Sequence, residues 1–328
     1  MLLTLIIAVP GKAQYRKFSF QQPKMGSLFN IVIYSRDSAM AANAAGQVYR
    51  LIDTLNLIYS DYLPESELNR LCASAGNNDG LKVSPELFDI VQASYRASEL
   101  SWGSFDITMG PLVKLWRKAR REKLLPHPDS LRAARSLVGY RLIELDSTRK
   151  TITLKKAGMQ LDLGGIAKGE TAQRAYARLG ELGFPHALVD AGGDVVAGSV
   201  PEGVEGWRVA MNIPGSEDIL SGYLLLINQA VTTSGDLYQH VEISNRRYSH
   251  IISPFTGQAL SNSRNVTVIS RYGVDADWLT KACSVLPVKK ALRLLNRFPL
   301  AEAQIGVLKN GKPVFSRSPG FNKYVESP

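Results

Sequence analysis

The sequence predicts an α+β fold, and three observations carry that reading. Apolar residues recur at helical spacing in some windows and alternate as in strands in others. The two kinds of window are interleaved without the strict strand-helix-strand order of a doubly wound sheet. From Ala187 to Ser270, moreover, the chain is almost wholly strand-like. With 328 residues it can bury a large core.

Taken in order, the first element is an apolar run from Leu2 to Val9, followed by Pro10, Gly11 and the small residue Ala13. It is shorter than the ~20 residues needed to span a bilayer. The run resembles the apolar region and cleavage site of a secretory signal peptide, although the basic segment that normally precedes them is missing; a buried first strand is the other reading. We expect a signal peptide over residues 1–13, a single domain over 14–328, and export to the periplasm or the outer face of the inner membrane. Leu28 to Tyr34 alternates as a strand. Ala39 to Tyr59 is helical by spacing, with Ser38 as its candidate N-cap. Ser84-Pro-Glu opens a second helix that runs to Leu100, with Leu87, Ile90, Val91 and Tyr95 on one face. Ile166 to Leu182 forms a third, stopped by Gly183 and Pro185. After the strand-rich stretch, Asp275 to Leu286 and Val288 to Phe298 read as helices, and Ala303 to Leu308 and Pro313 to Ser316 as closing strands.

Composition removes several function classes. Two cysteines, Cys72 and Cys283, cannot staple a disulfide-rich scaffold or build a four-ligand zinc site, and four histidines leave little for a His-built metal centre. The formal charge of +10 raises the question of a polyanionic partner. The basic residues are dispersed, however; short clusters such as Lys118 to Lys123 and Arg246-Arg247 read as solvated faces, and no nucleic-acid motif accompanies them.

Four stretches place small and polar residues as a ligand site requires. In Gln160 to Gly169, Asp162 follows a strand-like segment, Gly164 and Gly165 permit close backbone approach, and Lys168 falls in the first turn of a helix. Free N–H groups, glycine and a lysine there make either an anion cradle or a plain turn. Val189 to Asp194 is a second acidic, glycine-rich turn, compatible with a tight hairpin corner. Val231 to Asp236 clusters hydroxyls, and Tyr248 to Gly257 carries His250 toward a Pro/Gly turn. In Val274 to Ala282, Asp277 sits near a helix start with Thr280 and Lys281 one turn on, as a cap or as a hard-cation ligand.

The joint order of these stretches resembles the ApbE family of FAD:protein FMN transferases, formerly described as thiamine biosynthesis lipoproteins. The resemblance runs from about Met25 to about Leu286. It is carried by Met25-Gly-Ser, Ser60-Asp-Tyr62, Ser104-Phe-Asp-Ile-Thr-Met-Gly-Pro-Leu-Val-Lys-Leu-Trp116, Leu161-Asp-Leu-Gly-Gly-Ile-Ala-Lys-Gly169, Ala191-Gly-Gly-Asp194, Thr233-Ser-Gly-Asp236, Ser249-His-Ile-Ile252 and Asp275-Ala-Asp277. It implies an ApbE-like, T-fold-like core of mixed sheet and helices with a smaller flanking subdomain and an FAD cleft between them. It also implies transfer of FMN from FAD, with Mg²⁺ as cofactor, to a threonine of an extracytoplasmic acceptor flavoprotein, releasing AMP. Peripheral association with the membrane would come through that acceptor. By the same resemblance, Met25, Tyr62, Ser104, Phe105, Asp106, Asp162, Lys168 and Ile252 would bind FAD, and His250 would handle a proton. The metal would sit against the Gly165 carbonyl and Asp277, and the family usually adds a threonine one turn beyond the acid. Here Lys281 stands in that place and Thr280 precedes it, so Thr280 would have to compensate. The acid usual after His-Ile-Ile is Ser253. Both departures lower the local negative charge. They keep open two alternatives: hydrolysis of FAD to FMN and AMP, and flavin binding with an impaired metal site.

Overall fold

The computed structural model describes residues 14–211, 222–235, 240–261, 264–309 and 312–326. The apolar leader, residues 1–13, and Asp236 of the third stretch lie outside the described residues. Eight strands form the central sheet: β1 (Arg16–Lys24), β2 (Ser27–Ser35), β3 (Ala187–Ala191), β4 (Asp194–Ala197), β5 (Gln229–Gly235), β6 (Arg264–Ser270), β7 (Glu302–Lys309) and β8 (Lys312–Arg317). Their spatial order is their chain order, and every neighbouring pair is antiparallel. β1 and β8 are therefore the two edges.

Among the described residues the α-helices fall in two excursions from this meander. Between β2 and β3 lie α1 (Ser38–Tyr59), α2 (Glu67–Ala73), α3 (Pro85–Leu100), α4 (Gly110–Glu122), α5 (Pro128–Arg135) and α6 (Ala167–Glu181). Between β6 and β7 lie α7 (Gly273–Val285) and α8 (Val288–Leu295). Ser84 caps α3 as its sequence predicts, its hydroxyl accepting from the Leu87 N–H at 3.2 Å. The cap of α1 is one residue earlier than expected. Asp37, in extended conformation, accepts from the Ala39 and Met40 N–H groups at 2.7 and 3.0 Å, which leaves Ser38 as the first helical residue.

The alternation in β2 is explained by burial on both faces. Phe29, Ile31 and Ile33 pack against the alanine-rich faces of α1 and α6, at Ala41, Ala44, Ala45, Ala172 and Ala175. Val32 points the other way, into a cluster with Trp207, Leu224, Leu226 and Phe321 beneath a small sheet of 207–210, 223–226 and 325–326. Farther along the central sheet, β6 and β7 pack Val266, Val268 and Ile305 against α7 and α8, in a cluster that α3 completes. α4 and α5 form a separate apolar cluster with the hairpin 240–243/246–249, through Leu112, Trp116 and Tyr248. The Trp116 indole N–H donates to the Gly257 carbonyl at 2.9 Å, fixing the turn that follows His250 to α4.

α6 and α7 approach each other through glycine. A Cβ on Gly169 would collide with the Gly273 carbonyl oxygen and lie 2.7 Å from Cβ of Asp277, and one on Gly273 would lie 2.5 Å from the Gly169 carbonyl oxygen. Any side chain at either position would push the helices apart. We expect Gly169→Ala to lower stability by about 1–3 kcal/mol, the usual cost of overpacking, as read from urea unfolding. Both cysteines are free: Cys283 is buried, and burial pushes its thiol up to about 12. In the native protein Cys283 should resist alkylation near pH 8, and the unfolded chain should expose two reactive thiols without prior reduction.

Candidate active site

A cavity of about 850 Å³ opens where the N-terminus of α6, the C-terminal half of α7, the β3–β4 turn, the end of β5 and the face of α4 converge. Its volume lies within the usual range for small-molecule sites. Met25 reaches it from the β1–β2 turn, where Met25 and Gly26 both have positive φ, 49° and 71°. The β3–β4 corner is the tight hairpin its Gly-Gly pair predicts, with φ of 76° and 100°, and the Asp190 carboxylate accepts from the Gly193 N–H at 2.7 Å. That corner delivers Asp194 to the cavity.

The charged groups here come in locked sets. The Lys168 Nζ lies 2.5 Å from Asp194 Oδ2, and the Lys281 Nζ lies 2.5 Å from Asp277 Oδ1. Asp277 is fully buried, and its second oxygen accepts from the Gly169 N–H at 3.0 Å. It thus caps α6, whose own N-cap residue, Ile166, supplies no side-chain bond. Burial raises the Asp277 carboxyl above its ordinary value, reinforced by the Asp194 charge and opposed by the two ammonium groups. For Lys168, burial works against the charged form, yet Asp194 and Asp277 together hold its ammonium above the ordinary value.

On the opposite wall, Arg117 joins three predicted segments. It hydrogen-bonds Asp61, reaches Asp162 at 2.9 Å and stacks its guanidinium 4.2 Å from the centre of the Tyr62 ring. The other Asp162 oxygen accepts from the Gly164 N–H at 2.8 Å. Burial raises the Asp162 carboxyl, and the Asp61 charge adds to this while Arg117 opposes it. One turn along, Arg120 also lines the cavity, and among the described residues no carboxylate pairs with it.

The structure brings most of the expected residues together. Met25, Tyr62, Ser104, Phe105, Asp162 and Lys168 line this one cavity, and so do Gly165, His250 and Ile252. Asp106 lines it too, but its carboxylate is committed elsewhere. One oxygen accepts from the Thr108 N–H at 2.8 Å and the Thr108 hydroxyl at 2.6 Å, and the other from the Tyr140 N–H at 2.9 Å. Its work is to cap a short helical turn and hold Phe105 in place. Asp277 lies behind the wall, reached through Lys281. Thr280 is not brought to the site. It is fully buried, is not among the lining residues, and its hydroxyl donates to the Asp277 carbonyl at 2.7 Å within its own helix. Ser253 is likewise absent from the lining.

Arg117 and Arg120 are cavity residues that no motif in the sequence signals. The two arginines follow Val113 and Trp116 at helical spacing, so one face of α4 turns to the cavity while Lys118 and Arg121 remain in solvent. Reading Lys118 to Lys123 as one solvated cluster hid that split. Asp194 was visible in its motif, but its partner, Lys168, is distant in sequence.

Among the described residues, three buried polar atoms in this cavity have no hydrogen-bond partner: Ser104 Oγ, Asp194 Oδ1 and Ser234 Oγ. Buried polar groups are rarely left so unless a ligand completes them. An antiparallel α+β body with a deep cleft, fixed cations and unfilled hydrogen-bonding positions defines a binding site for a dinucleotide-sized anion. Residues 25–305 match the ApbE family, and the chain belongs to it. It is 31% identical to the FAD:protein FMN transferase of Treponema pallidum, over 89% of this chain and 85% of that protein. It is also 31% identical to one from Klebsiella pneumoniae, over 92% of each. Among solved structures it resembles the flavin transferase ApbE of Vibrio cholerae, with a TM-score of 0.85 and 25% identity over 94% of this chain and 99% of that one. It resembles the Pseudomonas stutzeri flavinyl transferase ApbE similarly, with a TM-score of 0.84 and 28% identity over 96% and 98%.

The residues at the expected magnesium position do not suit that ion. Both Asp277 oxygens are engaged, one of them by the Lys281 ammonium, Thr280 is turned away, and the Lys281 stem covers Gly165, whose added Cβ would lie 3.3 Å from its Cγ. Mg²⁺ needs oxygen donors and tolerates no ammonium among them. Two unit charges 4 Å apart at a protein surface interact by about 4 kcal/mol, so a divalent ion beside Lys281 meets roughly twice that in repulsion. Lys168, Lys281, Asp194 and Asp277 already sum to zero charge.

Arg117→Met leaves Asp162 without its cation and should destabilise the fold by about 1–3 kcal/mol, seen in urea unfolding. Because the folded-state carboxyl titrates above its ordinary 3.8, the variant takes up a proton in the folded state first. Its deficit should therefore shrink as pH falls from neutral toward 3.8.

Proposed function

We propose that this chain transfers FMN from FAD to a threonine hydroxyl of an exported acceptor flavoprotein and releases AMP. The observation that carries the reading is the convergence of Ser104, Asp194 and Ser234, with their unpartnered polar atoms, in the same cavity as Lys168, Arg120 and His250. The apolar leader and the family support an acceptor outside the cytoplasm, and through it a peripheral place at the membrane.

The residues divide the work by chemistry. Tyr62, stacked on Arg117 at the exposed rim, and Phe105, buried deeper, offer flat surfaces to ring systems. Lys168 and Arg120 supply positive charge to the pyrophosphate. The threonine oxygen attacks the phosphorus on the riboflavin side, and the bond to the AMP phosphate oxygen breaks. The hydroxyl proton passes to His250, and the AMP phosphate leaves with the bonding electrons. The acceptor brings the nucleophile, so the cavity needs no serine or cysteine nucleophile of its own.

Incubated with FAD and a flavin-acceptor domain, the protein should produce an acceptor that stays fluorescent on a denaturing gel, with AMP formed in equal amount. FAD consumed without labelled acceptor would indicate hydrolysis instead. His250→Ala should lower the transfer rate by about 10²–10⁴-fold while leaving FAD affinity nearly unchanged, as followed by stopped assays and binding titration.

A further inference from the structure

We infer that Lys281 serves as a built-in counter-cation for the pyrophosphate, in the place where the family's metal would act, so that this chain binds its dinucleotide without Mg²⁺. The inference rests on FAD being the ligand; the exclusion of metal by Lys281 stands on its own geometry.

Lys281 projects from the third turn of α7 into the cavity that also holds Lys168. Its aliphatic stem lies over Gly165, and the same glycine packs against Phe105, where an added Cβ would meet the ring at 3.2 Å. The ammonium is therefore held by its stem against the glycine-rich turn and by its head against a fully buried carboxylate, 2.5 Å away. Asp277 is fixed in turn by the Gly169 N–H. Few lysine side chains are so restrained, and the entropy usually lost when a lysine grips a ligand is already spent in the free protein.

An ammonium carries three donors, and the bond to Asp277 uses one. Among the described residues the Lys281 ammonium is paired with Asp277, which leaves the other donors for phosphate oxygens. Lys168 has the same arrangement on Asp194, which gives two carboxylate-anchored ammonium groups flanking the turn at residues 164–165. Together they set two ammonium groups against the pyrophosphate, while their formal charge stays balanced by the two aspartates. A metal would supply the same charge only by displacing Lys281 from Asp277. Among the described residues no group of three or more His, Cys, Asp and Glu side chains offers an alternative metal site.

The test has two arms on the full chain. In the first, FAD is titrated by fluorescence quenching in buffer with EDTA and in buffer with millimolar MgCl₂. The native protein should bind with dissociation constants that agree within about twofold. Lys281→Met should weaken binding about tenfold in both buffers, and Lys281→Thr should recover affinity only with Mg²⁺. In the second arm, Mn²⁺ is titrated without nucleotide and followed by electron paramagnetic resonance. Native protein should leave the free-ion signal intact, and Lys281→Thr should take up one ion that the further change Asp277→Asn abolishes. A thermal melt of each variant separates loss of fold from loss of charge.

Native protein whose FAD affinity rises tenfold or more with Mg²⁺, or which itself binds Mn²⁺ at Asp277, overturns the inference. Failure to bind FAD in either buffer overturns the proposed substrate and the counter-cation role with it. The manganese arm still decides whether Lys281 bars the metal.

Discussion

The site depends on one close contact, the crossing of α6 and α7 at Gly169 and Gly273. With no Cβ on either side, the two helix N-termini meet closely enough for Asp277 of one helix to cap the other. That single carboxylate does two things. It satisfies an orphan N–H at the start of α6, and it anchors the Lys281 ammonium at the cavity. Because α6 begins directly after the glycine-rich turn, the same crossing sets where Lys168 points. Moving the helices apart would shift both lysines and expose a buried carboxylate.

Charge in the cleft is organised by partnership. Each lysine sits on one aspartate, and Arg117 is shared by Asp61 and Asp162 while its flat face supports Tyr62. Buried ions need such partners to remain charged at all. Arg120, without a carboxylate of its own, is the most open of these cations.

Much of this was legible in the sequence because the motifs are local. The β1–β2 turn at Met25, the Gly-Gly corner before Asp194 and the Asp162 to Gly169 turn each fold from residues within a few positions, and each faces the cavity as their chemistry implies. What could not be read were contacts between distant segments. Nothing around Asp106 shows that its carboxylate will be consumed by Thr108 and Tyr140. Nothing around Thr280 shows that its hydroxyl will turn back to its own helix, a common choice for a buried threonine with no partner across from it. α4 was obscured by its many charges, and only its apolar spacing reveals which arginines face inward.

The order of the sheet gives the surplus of basic residues a further meaning. Because the strands follow one another across the sheet, both edges belong to the terminal hairpins. β1 carries Arg16, Lys17 and Pro23, and β8 carries Pro313 and Arg317. An exposed strand edge invites pairing with a strand from another molecule, and lysine, arginine and proline discourage it by repulsion and by removing a donor. Part of the +10 charge thus guards an open antiparallel sheet against growing from one copy of the protein into the next.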